Sequence, residues 1–247
     1  MLTLIQKEIG NLPKMKLLSV WLILLGVMTV ITSIIVLGLG TNNQLTEIII
    51  QNQIAFNDHG NAWAGWPLAT SLFGSLFTQV TFLFFEAYLI SVIIIEAVRQ
   101  QSSNQLSSHP IRNMKLLWCK ILVVVSLSFV AQVVAAIIVQ LLIKLIAIET
   151  GSSYSLTVTS FIHLLVIMVG TVLVGLLPLV FGMIRYSTIM TMLSSVILSG
   201  ILSNAFPGTL SNSLMNSLPC LLVGSIMSLS CVSICVFTSV KKVTNTQ

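Results

Sequence analysis

The chain of 247 residues has six acidic side chains, and Glu86 is the one that falls well inside a long apolar run, TQVTFLFFEAYLISVIII. A carboxylate surrounded by hydrocarbon is costly, and such residues often serve a pathway or a ligand. Glu86 precedes Glu96 by ten residues, about 15 Å along a helix. Two readings of it stand. It could be a polar contact lining a cavity, suited to a cationic peptide, or a protonated or hydrogen-bonded packing residue between helices. His163 lies near the outer end of another apolar run. An interfacial or helix-packing histidine is the simpler reading there, with a polar ligand contact as the alternative.

Other chemistry is missing from the sequence. There is no HExxH, no GxSxG and no paired-acid EExxxR motif, and His59, His109 and His163 converge with no Ser/Asp partners by spacing. No GxxxxGK[ST] loop is present, so the chain is expected to bind no ATP and to hold no cofactor or metal of its own. Cys119, Cys220, Cys231 and Cys235 form no CxxC. They read as small buried hydrophobes rather than as a redox or metal site.

The elements that must carry these residues are set by composition. Hydrophobic residues make up 56% of the chain and charged residues only 7%, against about a quarter charged in a soluble domain. Lipid is therefore the expected solvent, and the natural unit is a span of about 20 residues. The reading is an all-α membrane protein with six transmembrane helices, built as one domain over residues 1–247.

Residues 1–16 are expected to form an interfacial helix. Leu2, Ile5, Ile9 and Leu12 recur at helical spacing, and Pro13 breaks the pattern. Span one follows from about Leu17 to Leu39. It is too long for a signal-peptide core and no A-x-A follows it, so it reads as retained. A cation-free loop, Thr41 to Gly65, carries Trp63, with Trp66 just beyond, as interfacial anchors. Span two runs from about Ser71 to Ile95. Span three runs from about Leu116 to Ile148, long enough to tilt or protrude, with Ala131 and Ala135 as a small-residue contact face. Span four, Thr159 to Ile184, contains Pro178 and should kink there. Spans five and six run from about Ser187 to Leu202 and from Leu218 to Val240. The uncharged connection around Asn204, Pro207 and Asn212 is expected to re-enter the membrane, shielded by protein.

Cation placement orients the chain. Lys7, Lys14 and Lys16, then Arg99, Arg112, Lys115 and Lys120, then Arg185, then Lys241 and Lys242 all fall on one side of six spans. By the positive-inside rule that side is cytoplasmic, and so are both termini. Lys144 is the exception, near the far end of span three, where its stem can snorkel outward.

The largest cytoplasmic segment is Glu96 to Lys120, EAVRQQSSNQLSSHPIRNMKLLWCK. Ser102 to Ser108 could form a short helix ending before Pro110, because the residue before proline disfavours the helical region. This segment resembles the second intracellular loop of bacterial ABC-2-type transporter permeases. The matching positions are Glu96 at the end of span two, Leu106, the Pro110-Ile111-Arg112 turn, and Lys120 as span three begins. Asn104 and Pro110 bring it nearest to the permeases of lantibiotic and bacteriocin immunity. Ala97 to Gln101 departs from the Gly-Thr of many members.

The resemblance implies a permease subunit of an ABC exporter in a bacterial plasma membrane. Its residues 96–115 would be a cytoplasmic coupling loop, with Glu96, Arg99, Leu106, Pro110, Ile111, Arg112, Lys115 and Lys120 facing a separate ATPase subunit that holds ATP-Mg. A second permease subunit, identical or a sibling, and a peptide cargo would complete the partners. Nucleic acid is not among them. Alternatives are an exporter of another hydrophobic peptide, a lipid or a drug, an intramembrane protease-type immunity protein, or a membrane scaffold or sensor.

Overall fold

A computed structural model describes residues 10, 14–41, 65–103, 110–149, 158–185, 187–204 and 218–245. All of the described elements are helical. They are α1 (Lys14–Thr41), α2 (Gly65–Leu89), a π-helical segment (Ile90–Ile95), α3 (Glu96–Ser103), α4 (Pro110–Glu149), α5 (Val158–Val174), α6 (Leu177–Arg185), α7 (Thr188–Asn204) and α8 (Leu218–Asn245).

Five stretches are long and apolar enough to cross a membrane: Met15–Ile34, Leu76–Arg99, Leu116–Ile146, Phe161–Arg185 and Leu218–Thr238. The protein is thus a helical bundle of membrane-protein type. The expected fifth span corresponds to α7, which has 17 residues. That is about 26 Å of helix, short of the roughly 30 Å hydrocarbon core.

α2 and its π-helical continuation form the central post. α1, α4, α5 and α7 pack on α2, and α4, α6 and α7 pack on the π segment. The run ISVIII lies in the core, with Ile90, Ser91, Ile93, Ile94 and Ile95 all buried. Around it lie Leu117 and Ile121 of α4 and Leu179 and Met183 of α6. On α2 itself, Phe82 and Phe85 meet edge to face with ring centroids 5.8 Å apart, a favoured aromatic geometry.

Small residues let the helices approach. Ala135 is fully buried, and the Trp21 indole N–H of α1 donates to the Ala131 carbonyl at 3.4 Å. The expected small-residue face of span three therefore receives α1. Between α5 and α8, a Cβ on Gly170 would lie 3.1 Å from Leu221 and one on Gly224 would lie 3.1 Å from Val174.

Two expectations change. Ser102 and Ser103 belong to a helix continuous with span two, not to a separate stub, and Pro110 starts α4 instead of merely stopping a helix. Proline suits a first helical position, where its missing N–H would have no partner anyway. Cys220 and Cys231 are exposed on the single chain, while Cys119 is buried. In a membrane bundle an exposed face can still be an apolar one, so the cysteines keep their hydrophobic role without being core.

Several expected features lie outside the described residues: the body of the interfacial helix, Trp63, Asn104 and Leu106, and the re-entrant segment around Pro207.

Candidate functional site

The break in span four sits where Pro178 requires it. Proline has no N–H to offer the carbonyl four residues back, and its ring crowds that carbonyl. The chain responds by tightening: Leu176 N–H bonds the Leu173 carbonyl at 3.4 Å and Leu179 N–H bonds the Leu176 carbonyl at 3.0 Å. α5 ends at Val174 and α6 begins at Leu177. Ser228 of α8 donates to the Leu173 carbonyl at 2.7 Å, and Ser225 reaches the Gly170 carbonyl at 3.4 Å. Neighbouring hydroxyls thereby supply donors at a broken helix, as membrane interiors require.

Glu86 faces this break. It is 1% exposed, and its Oε1 has no hydrogen-bond partner. A Cβ added to Gly175 would collide with the Glu86 carboxyl and lie 3.2 Å from Leu83. Glycine here is what admits the carboxyl to the backbone. Further unpartnered buried atoms are Thr32 Oγ1, Gln79 Oε1, Ser128 Oγ, and both amide atoms of Gln132. Gln79 and Glu86 are spaced i, i+7 on α2, and Ser128 and Gln132 are i, i+4 on α4, so each pair shares a helix face. Buried polar atoms without partners call for an explanation, such as an ion, water or catalytic role.

A second feature joins the polar segment 96–120 to this interior. The Lys120 ammonium donates to the Ile93 carbonyl at 3.5 Å. Ile93 lies in the π-helical segment, where the Glu96 N–H bonds the Ser91 carbonyl, five residues back. Returning from that pairing to ordinary helix leaves a carbonyl in need of a donor, and such bulges recur at functional sites.

The other sequence-derived positions are spread out. Glu96 and Arg99 are exposed at the end of the central post. Pro110, Ile111, Arg112 and Lys115 lie in the first turns of α4, and Leu106 is outside the described residues. His163 is exposed on α5, about 18 Å along the helix from Gly175, so it does not join Glu86 in one site. The described residues contain no cluster of three metal-ligating side chains. Gln79, Ser128 and Gln132 were not singled out from sequence, and Gly175 only as a flank of Pro178. The signal of the first three was available as isolated polar residues at helical spacing within apolar runs.

No protein-family model, no curated protein and no solved structure matches the chain.

Proposed function

We propose that this chain is the membrane-spanning subunit of an ABC exporter. A separate ATPase would press on residues 96–120. That motion would tilt the spans and expel an amphipathic antimicrobial peptide, as in lantibiotic self-immunity. Two such subunits, identical or paired with a sibling, would sit in the bacterial plasma membrane with both termini cytoplasmic.

The observation that carries this reading is mechanical. The cytoplasmic segment is bracketed by two helices that continue without interruption into the packed interior, α2 through the π segment to Ser103 and α4 from Pro110. Lys120 on one reaches Ile93 on the other. A push delivered between Ser103 and Pro110 therefore meets stiff elements, and the central post it moves carries Glu86. Arg99, Arg112 and Lys115 would supply charge for acidic groups on the ATPase. Glu86 is the candidate cargo-facing group, and His163 is a separate, outer contact.

The test is whether an ABC ATPase subunit co-purifies with this chain from the native membrane. Arg112→Glu should abolish that co-purification while the variant still inserts in the membrane. Retention of the ATPase by Arg112→Glu would count against docking at this segment.

A further inference from the structure

Thr32 Oγ1, Gln79 Oε1, Glu86 Oε1, Ser128 Oγ and both amide atoms of Gln132 are buried without hydrogen-bond partners. An ionised Glu86 and the two amide oxygens can only accept, and the Thr32 and Ser128 hydroxyls can accept as well as donate. The backbone adds further acceptors. Leu176 N–H bonds the Leu173 carbonyl, which takes from the Val172 carbonyl its usual helical donor. Pro178 has no N–H for the Val174 carbonyl. The C-terminal end of α5 also carries the negative pole of its helix dipole.

Two of these oxygens, on Glu86 and Ser128, come out at nearly the same depth. The Lys120–Ile93 contact sets α4 against α2. Counting outward from it along two successive, oppositely directed spans, Glu86 lies about 10 Å away on α2 and Ser128 about 12 Å away on α4. Gln132 and Gln79 follow at about 18 and 21 Å. Gly175 is placed beside Glu86 by direct contact. Lys120 is thus about 10 Å from the carboxyl level, while Lys16, Arg99, Lys144 and Arg185 are exposed.

We propose that Glu86, Ser128 and the carbonyl end of α5 at the Val174–Gly175 break form an intramembrane site for a monovalent inorganic cation of the sodium class. A single carboxylate matches a single positive charge, whereas divalent ions are usually held by several acidic or carbonyl ligands. Glu86 is almost completely buried, so with the helices packed as they are only a small bare ion is a suitable ligand; the peptide cargo proposed above would reach it only after the spans tilt apart. Discontinuous helices whose freed carbonyls face the membrane interior are suited to such ions. The site does not depend on the exporter reading.

The experiment uses the full chain in lipid nanodiscs. Thermal unfolding is followed in LiCl, NaCl, KCl and choline chloride at equal ionic strength and fixed pH. One alkali cation should raise the midpoint by several degrees over choline, and Glu86→Gln should lose that response. If Glu86→Gln does not fold, Ser128→Ala carries the test, because it keeps the carboxylate and removes one oxygen. Its half-saturating cation concentration should rise several-fold. Equal midpoints in all four salts, a response retained in Glu86→Gln, or an unchanged concentration dependence in Ser128→Ala would overturn the site.

Discussion

The carboxyl of Glu86 lies against the backbone of Gly175, with no room for a Cβ between them. A titratable group on the central post is thereby joined to the break in span four that Pro178 marks. Gly175→Ala should force the carboxyl or Leu83 to move, at about 1–3 kcal/mol. Gly26 has nothing within 4 Å of its Cβ position, so Gly26→Ala should be neutral or slightly stabilising. Thermal unfolding of the two variants side by side checks the contrast.

Gly182 offers an independent check on close packing. A Cβ there would collide with Thr191 Oγ1 and lie 3.0 Å from Ile95 Cδ1. Gly182→Ala should destabilise, and adding Thr191→Ala should recover part of the loss. A double-mutant cycle with no coupling between the positions would contradict the α6–α7 geometry.

Ser228 tests the repair of the broken helix. Its hydroxyl bonds the Leu173 carbonyl on another helix, whereas Ser230 bonds Ile226 on its own. Ser228→Ala should cost about 0.6 kcal/mol, up to roughly 1.7, and Ser230→Ala close to nothing. Unfolding in mixed detergent micelles would resolve the difference.

Lys120 should hold the π-helical segment. Lys120→Met removes the donor to Ile93 but keeps the apolar stem. Amide hydrogen exchange across residues 90–97 should then quicken, consistent with a loss of about 0.5–1.5 kcal/mol. Exchange equal to that of the parent protein would leave Lys120 a topology-setting cation only.

Much of the architecture was readable from the chain because hydrocarbon demands long apolar runs. Leu17–Leu39 and Leu218–Val240 announce themselves by length, and Pro178 announces its break by lacking an N–H. The inward faces were not readable. When every position of a span is apolar, as in Ile90–Ile95, periodicity cannot say which side is core. Nor does ISVIII carry any mark of five-residue pairing. Cys231 was read as buried for the same reason, since apolar character does not separate a lipid-facing position from a core one. Gln79, Ser128 and Gln132 stood out chemically, but only packing shows that they lack partners. At Pro110 the residue type marked a boundary, and a helix begins there.

The central claim is that force enters through residues 96–120. It is tested most directly by ATP hydrolysis in a complex reconstituted from this chain and an ABC ATPase subunit that co-purifies with it. Deleting Ser102 to Pro110 should abolish the stimulation of hydrolysis by an amphipathic antimicrobial peptide, while the deleted protein remains in the membrane. Stimulated hydrolysis at the parent level after that deletion would contradict the account.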